Sequence, residues 1–81
     1  MAEIYRFLGI VITMYPDADH NPPHIHARYA EFDAKINIKT LAIISGYLPN
    51  KKVMLVREFI EYHKEELLKM WLEKKTYRLE D

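Results

Sequence analysis

Three of the four histidines in this chain, His20, His24 and His26, fall in one short stretch. It reads Asp17-Ala18-Asp19-His20-Asn21-Pro22-Pro23-His24-Ile25-His26-Ala27-Arg28. Two chemistries suit such a set. Neutral imidazoles clamp transition metals, so His20, His24 and His26, with Asp17 or Asp19 as further ligands, would hold zinc or another divalent transition metal rather than magnesium. Alternatively, no metal is needed. Histidine titrates near neutrality, so His24 and His26 can supply one base and one acid. Arg28 beside them offers a planar fork that matches phosphate oxygens. Together these three form the catalytic set of a metal-independent ribonuclease. The bland alternative is a pair of surface histidines, with Arg28 in a cross-strand ion pair with Asp33.

Something must hold these side chains in place, and the flanking sequence supplies it. Pro22 and Pro23 fix two φ angles and remove two backbone donors, which predicts a stiff, extended connector. From His24 the pattern alternates: Ile25, Ala27 and Tyr29 form one face, and His24, His26 and Arg28 the other. This predicts a strand from His24 to about Ala30. A turn near Glu31 and Phe32 leads to a strand over Asp33 to Ile38, where Ala34, Ile36 and Ile38 alternate with Asp33, Lys35 and Asn37. Upstream, Phe7 to Tyr15 is β-branched, aromatic and apolar, and reads as a first strand with Leu8, Ile10, Ile12 and Met14 on one face. Ala42 to Tyr47 is a weaker fourth strand. The connections are too short for parallel crossovers, so the pairing is expected to be antiparallel.

After Leu48 the period changes. Pro49 and Asn50 supply a stop and an N-cap, and Val53, Val56, Phe59, Ile60, His63, Leu67, Met70 and Trp71 recur at three- and four-residue spacings. They predict one helix over residues 51–75, or two joined by a kink near His63, with His63 a buried or capping histidine. Arg57–Glu61, Glu65–Lys69 and Lys69–Glu73 are spaced to pair across one turn. Lys51, Lys52 and Arg57 cluster at the helix start, as a solvated face or an anion contact. The tail from Thr76 carries no pattern and is expected to fray.

The predicted fold is therefore α+β: an antiparallel meander of three to four strands, with C-terminal helix packed on its apolar face. That packing leaves His24, His26, Arg28, Lys35 and Asn37 on an open face, extended by Thr13 and Tyr15 from the first strand. A slip of one residue would push every histidine into the core.

Whole-chain quantities narrow the setting. The 81 residues suffice for a single domain, 1–81, and a hydrophobic fraction of 49% supports a packed core. Twelve basic and twelve acidic residues cancel, so nucleic-acid binding would need a local patch. The absence of cysteine excludes thiolate metal sites and disulfides and suits a reducing, cytoplasmic setting. No signal-peptide run opens the chain, and no stretch approaches the roughly 20 apolar residues a bilayer requires.

The blocks Arg6-Phe7-Leu8-Gly9-Ile10 with Met14-Tyr15, His20-Asn21-Pro22-Pro23-His24-Ile25-His26-Ala27, Gly46-Tyr47-Leu48-Pro49 and Glu65-Glu66-Leu67-Leu68-Lys69-Met70-Trp71 resemble the bacterial domain-of-unknown-function 4160 family. The likeness spans nearly the whole chain, and the His-x-Pro-Pro-His-x-His block is its distinctive part. Glu31 and Phe32 depart from the small pair common in that turn, which affects only the loop. The resemblance implies one partner of a small two-gene, toxin–antitoxin-like module, beside a domain-of-unknown-function 2442 neighbour. It brings no catalytic residues with it.

Two functions follow as expectations. The first is a toxin acting on RNA through His24, His26 and Arg28. The second is a non-catalytic antitoxin or regulatory module whose open sheet face meets a protein partner, a second copy of the chain, or a metal.

Overall fold

The computed structural model describes residues 3–16 and 20–79. Five strands form one antiparallel sheet in sequence order: β1 (Glu3–Phe7), β2 (Ile10–Thr13), β3 (His24–Tyr29), β4 (Phe32–Asn37) and β5 (Ile43–Tyr47). Two helices follow, α1 (Asn50–Tyr62) and α2 (Lys64–Glu73). The α+β meander matches the sequence reading, with one strand more than it allowed.

The extra strand comes from the run over Phe7 to Tyr15, which folds back on itself at Leu8 and Gly9. Phe7 pairs with Ile10, and the two residues between them have φ of 48° and 80°. Positive φ at both central positions is the geometry whose twist matches that of the flanking strands, and glycine adopts it freely. Leu8 therefore leaves the apolar face assigned to it and stands 67% exposed. The register also slips between Glu3 and Tyr5, so Glu3 faces Thr13 while Tyr5 faces Ile12. This bulge buries Ile4 and turns Tyr5 toward Phe59.

The alternation sorts the sheet as expected. Ile10, Ile12, Ile25, Ala27, Ala34 and Ile36 are buried, and Val53, Val56, Phe59, Ile60, Leu67, Met70 and Trp71 close over them. Fully burying one such aliphatic side chain contributes about 1.5–3 kcal/mol, so register and helix placement enforce each other. Gly46 is the second position where glycine is required. Its φ is 85°, and a Cβ there would collide with the Asp33 carbonyl oxygen on the neighbouring strand.

The helical segment breaks once. His63 has φ −107° and ψ 17° between α1 and α2, its N–H still bonds Phe59 O, and its ring is buried, as read. Asn50 is not the N-cap. It is the first helical residue, and the carbonyl of Pro49 receives the N–H groups of Lys52 and Val53 at 2.9 and 3.0 Å. Arg57 does not turn to Glu61 but donates through Nε to Leu41 O at 2.9 Å, tying α1 to the β4–β5 turn. Lys52 lies 4.5 Å above the Tyr29 ring, so of the basic cluster at the helix start Lys52 and Arg57 have partners within the fold, while Lys51 is exposed.

As far as Leu79 the tail is docked rather than frayed. Leu79 is buried, and its N–H donates to Ile4 O at 2.7 Å, while Arg78 bonds Glu3. An apolar residue at the end of an otherwise patternless tail was enough to cover the outer edge of β1.

Candidate functional site

The register lays the open face out as rows. One row runs Arg6, Val11, Arg28, Asp33, Tyr47 across the five strands, and the next runs Glu3, Thr13, His26, Lys35, Ser45. Neighbouring strands lie about 4.8 Å apart, so side chains from adjacent strands in a row can reach one another. On β1–β3 and at the β4 rim these rows enclose a cavity of about 250 Å³ that includes Thr13, Tyr15, His26, Arg28, Arg6 and Glu3.

His26 sits near the middle of it. The Tyr15 ring meets it edge-on, with centroids 5.0 Å apart. Arg28 follows two residues along the same face, exposed to solvent and opposite Asp33, yet no ion pair joins Arg28 to Asp33. The cross-strand pairing that would have made Arg28 structural is therefore present in register but not closed. Glu3 is handled differently. Arg6 binds it through Nη2 at 2.9 Å and Nε at 3.3 Å, and Arg78 binds it from the tail. The Arg6 guanidinium first, and Arg78 next, hold the Glu3 carboxyl below the usual carboxylate range, and Glu3 in turn pushes Arg6 up. Glu3 is thus neutralised by Arg6 and Arg78, while the second carboxylate lining the cavity, Asp33, stands opposite Arg28 without an ion pair to it.

His24 departs from the sequence reading. It shares the His26 side of the strand, and the two rings lie 5.3 Å apart, but His24 is 5% exposed rather than open. The reason lies in α2. Trp71 reaches the end of β3, its ring 5.2 Å from that of His24, and its Nε1–H donates to Asn21 Oδ1 at 3.1 Å. His24 Nδ1–H donates to Pro22 O at 2.8 Å, because a carbonyl can only accept. His24 is thereby fixed in orientation with Nδ1 protonated. The connector is not simply extended: it bends at Asn21 and Pro22, and the peptide bond between them is cis.

His20 is exposed and lines a separate groove of about 260 Å³ with Asn21, Pro22, His24, Lys35 and Ser45. Among the described residues no group of three or more His, Cys, Asp or Glu could hold a metal ion. Asp17 and Asp19, the further ligands considered, lie outside the described residues. Asn37 is also withdrawn from the open face, since its Oδ1 accepts from the N–H groups of Lys39 and Thr40 and shapes the next turn.

Of the residues lining the cavity, sequence reasoning placed Thr13, Tyr15, His26 and Arg28 on the open face but missed Arg6 and Glu3, and Lys35 lines the groove of His20 instead. The signal was Gly9, a turn residue inside an apparent strand. Reading it as a hairpin gives β1 and places Arg6 in the row of Arg28. The role of Trp71 in covering His24 carries no local signal at all.

Fold and site together define a small antiparallel sheet with helices on one face and a polar cavity on the other. The chain belongs to the family described as Domain of unknown function (DUF4160), whose family model matches residues 9–72. No curated protein and no solved structure matches it. Among the described residues no helix is long and apolar enough to cross a membrane.

Proposed function

We propose that this protein is the toxin-like partner of a cytoplasmic two-gene module and acts on RNA through the open face of its sheet. The observation that carries this is the cavity in which Thr13, Tyr15, His26 and Arg28 converge, with no helix residue in its lining. The family membership supplies the setting, through the two-gene context the resemblance implies. In this reading Arg28 grips a backbone phosphate, and Arg6 and Lys35 flank it. His26 takes the proton from a ribose 2′-hydroxyl as that oxygen bonds to phosphorus. The 5′-oxygen leaves with a proton from the Tyr15 hydroxyl. His24, covered by Trp71 and bonded to Pro22, orients the strand end instead of moving protons.

Growth on expression tests it. The wild type alone should arrest growth, co-expression of the chromosomal neighbour should relieve the arrest, and His26→Ala or Arg28→Ala should abolish it. Purified protein should shorten RNA without added metal. A wild type that leaves growth and RNA untouched would sink the proposal.

A second reading has its own support in β5. This edge strand is exposed along its length, with Ile43, Ile44 and Tyr47 open to solvent, and it pairs on one side only. An unblocked apolar edge is the usual platform for strand addition by a protein partner. In that case the chain is a non-catalytic binding module. It would then be harmless alone and would rescue cells from a toxic neighbour.

A further inference from the structure

A groove lies away from the histidine cavity, where β1 meets α1. It measures about 440 Å³, and its walls are mainly rings: Tyr5, Phe7, Phe59, Tyr62 and His63. Tyr5 and Phe59 stack nearly parallel at 4.9 Å, and Phe7 joins them 5.4 Å from Tyr5. Tyr62 and His63 meet at 85°, with centroids 4.9 Å apart, and so make a corner. Tyr62 is 81% exposed, an aromatic ring held out in water beside an aromatic wall. The fully charged residue on the lining is Glu58, and no lysine or arginine lines the groove. Glu66 stands just behind the wall, 3.3 Å from His63 Nδ1.

We infer that this groove is a binding site for a small alkylammonium cation. An exposed ring face carries negative quadrupole density, so Tyr62, held in water beside a wall whose own rings stack on one another, attracts a cation, and organic cations shed water readily enough to enter. The carboxylate of Glu58 adds charge of the same sign at the rim. The apolar walls disfavour hydrated metal ions, which would lose more hydration than the rings return. The volume falls in the range of small-molecule sites. Nothing in this inference depends on the histidine cavity on the other face.

Choline and its neutral isostere 3,3-dimethylbutan-1-ol separate charge recognition from mere apolar filling. Each is titrated into the intact protein at constant ionic strength, and the ligand methyl resonance is followed by proton NMR. Choline should shift upfield, as ring currents require, and should saturate. The alcohol should bind roughly five- to tenfold more weakly, the scale of a partly desolvated cation–π contact. Tyr62→Ala and Glu58→Gln should each weaken choline binding several-fold, and melting temperatures read alongside should match the wild type, since both side chains are exposed. Equal binding of choline and alcohol would overturn the inference. So would the absence of saturation by choline, or unchanged choline binding in both variants.

Discussion

The two faces of this sheet use the same alternation for opposite ends. On the covered face, Ile12, Ile25, Ala27, Ala34 and Ile36 meet the helices and are fully buried or nearly so. On the open face, Thr13, His26, Lys35 and Arg28 come from the intervening positions and keep contact with solvent. One face has no choice of partner, because any slip would strand aliphatic side chains in water. The other is held in register by the first and is free to carry chemistry. His24 shows where that division ends. At the first position of β3, its place is set by the alternation, but its exposure is set by a tryptophan on α2.

The sharpest way to break the contrast is to damage the covered face. Phe59 stacks on Tyr5 and Phe7 and is buried. Phe59→Ala should destabilise the fold by about 3–5 kcal/mol, a large share of what a small domain has. Thermal unfolding checks this, and a variant that melts with the parent would show that the helix packs on another face.

A smaller effect sharpens the comparison within the open side. His24→Ala removes a buried ring and its bond to Pro22, and should cost about 1–3 kcal/mol. His26→Ala should cost clearly less, since His26 is only half-buried, while removing whatever activity the cavity has. Chemical denaturation of the two variants, set beside growth and RNA assays, tests whether stability rests on His24 and the proposed chemistry on His26. Equal destabilisation by both would erase the distinction drawn here.

The smallest effect concerns the rim of the cavity. Arg6 and Arg78 hold the Glu3 carboxyl below its ordinary value of 4.5, so the folded state favours the ionised form. Its contribution to stability is therefore present above that value and is lost as pH falls through the lowered one. Glu3→Gln should be slightly less stable than the wild type at neutral pH, and the two melting curves should converge in acid. A gap that persists at pH 2 would mean that the glutamate acts by packing rather than charge.

Much of this was legible because strand and helix periods are local. The alternation from His24 to Tyr29 fixed which side His26 and Arg28 occupy, and the stripe through Phe59, Ile60, Leu67 and Trp71 fixed which side of the helices meets the sheet. The hairpin at Leu8 and Gly9 was legible in principle, but an unbroken apolar run hid one glycine among β-formers. With it went Arg6, and so half of the arginine row.

Other features were never in the sequence as pattern. The burial of His24 depends on Trp71 reaching Asn21 across fifty residues of chain. The docking of the tail depends on Leu79 finding the Ile4 carbonyl at the far end of the chain. The aromatic groove assembles rings from β1 and α1 that no short window contains. Local periodicity determines which face a side chain takes, because the backbone geometry repeats every two or 3.6 residues. Whether that face is open, covered or concave is decided by what the folded chain lays across it, and only the tertiary structure holds that.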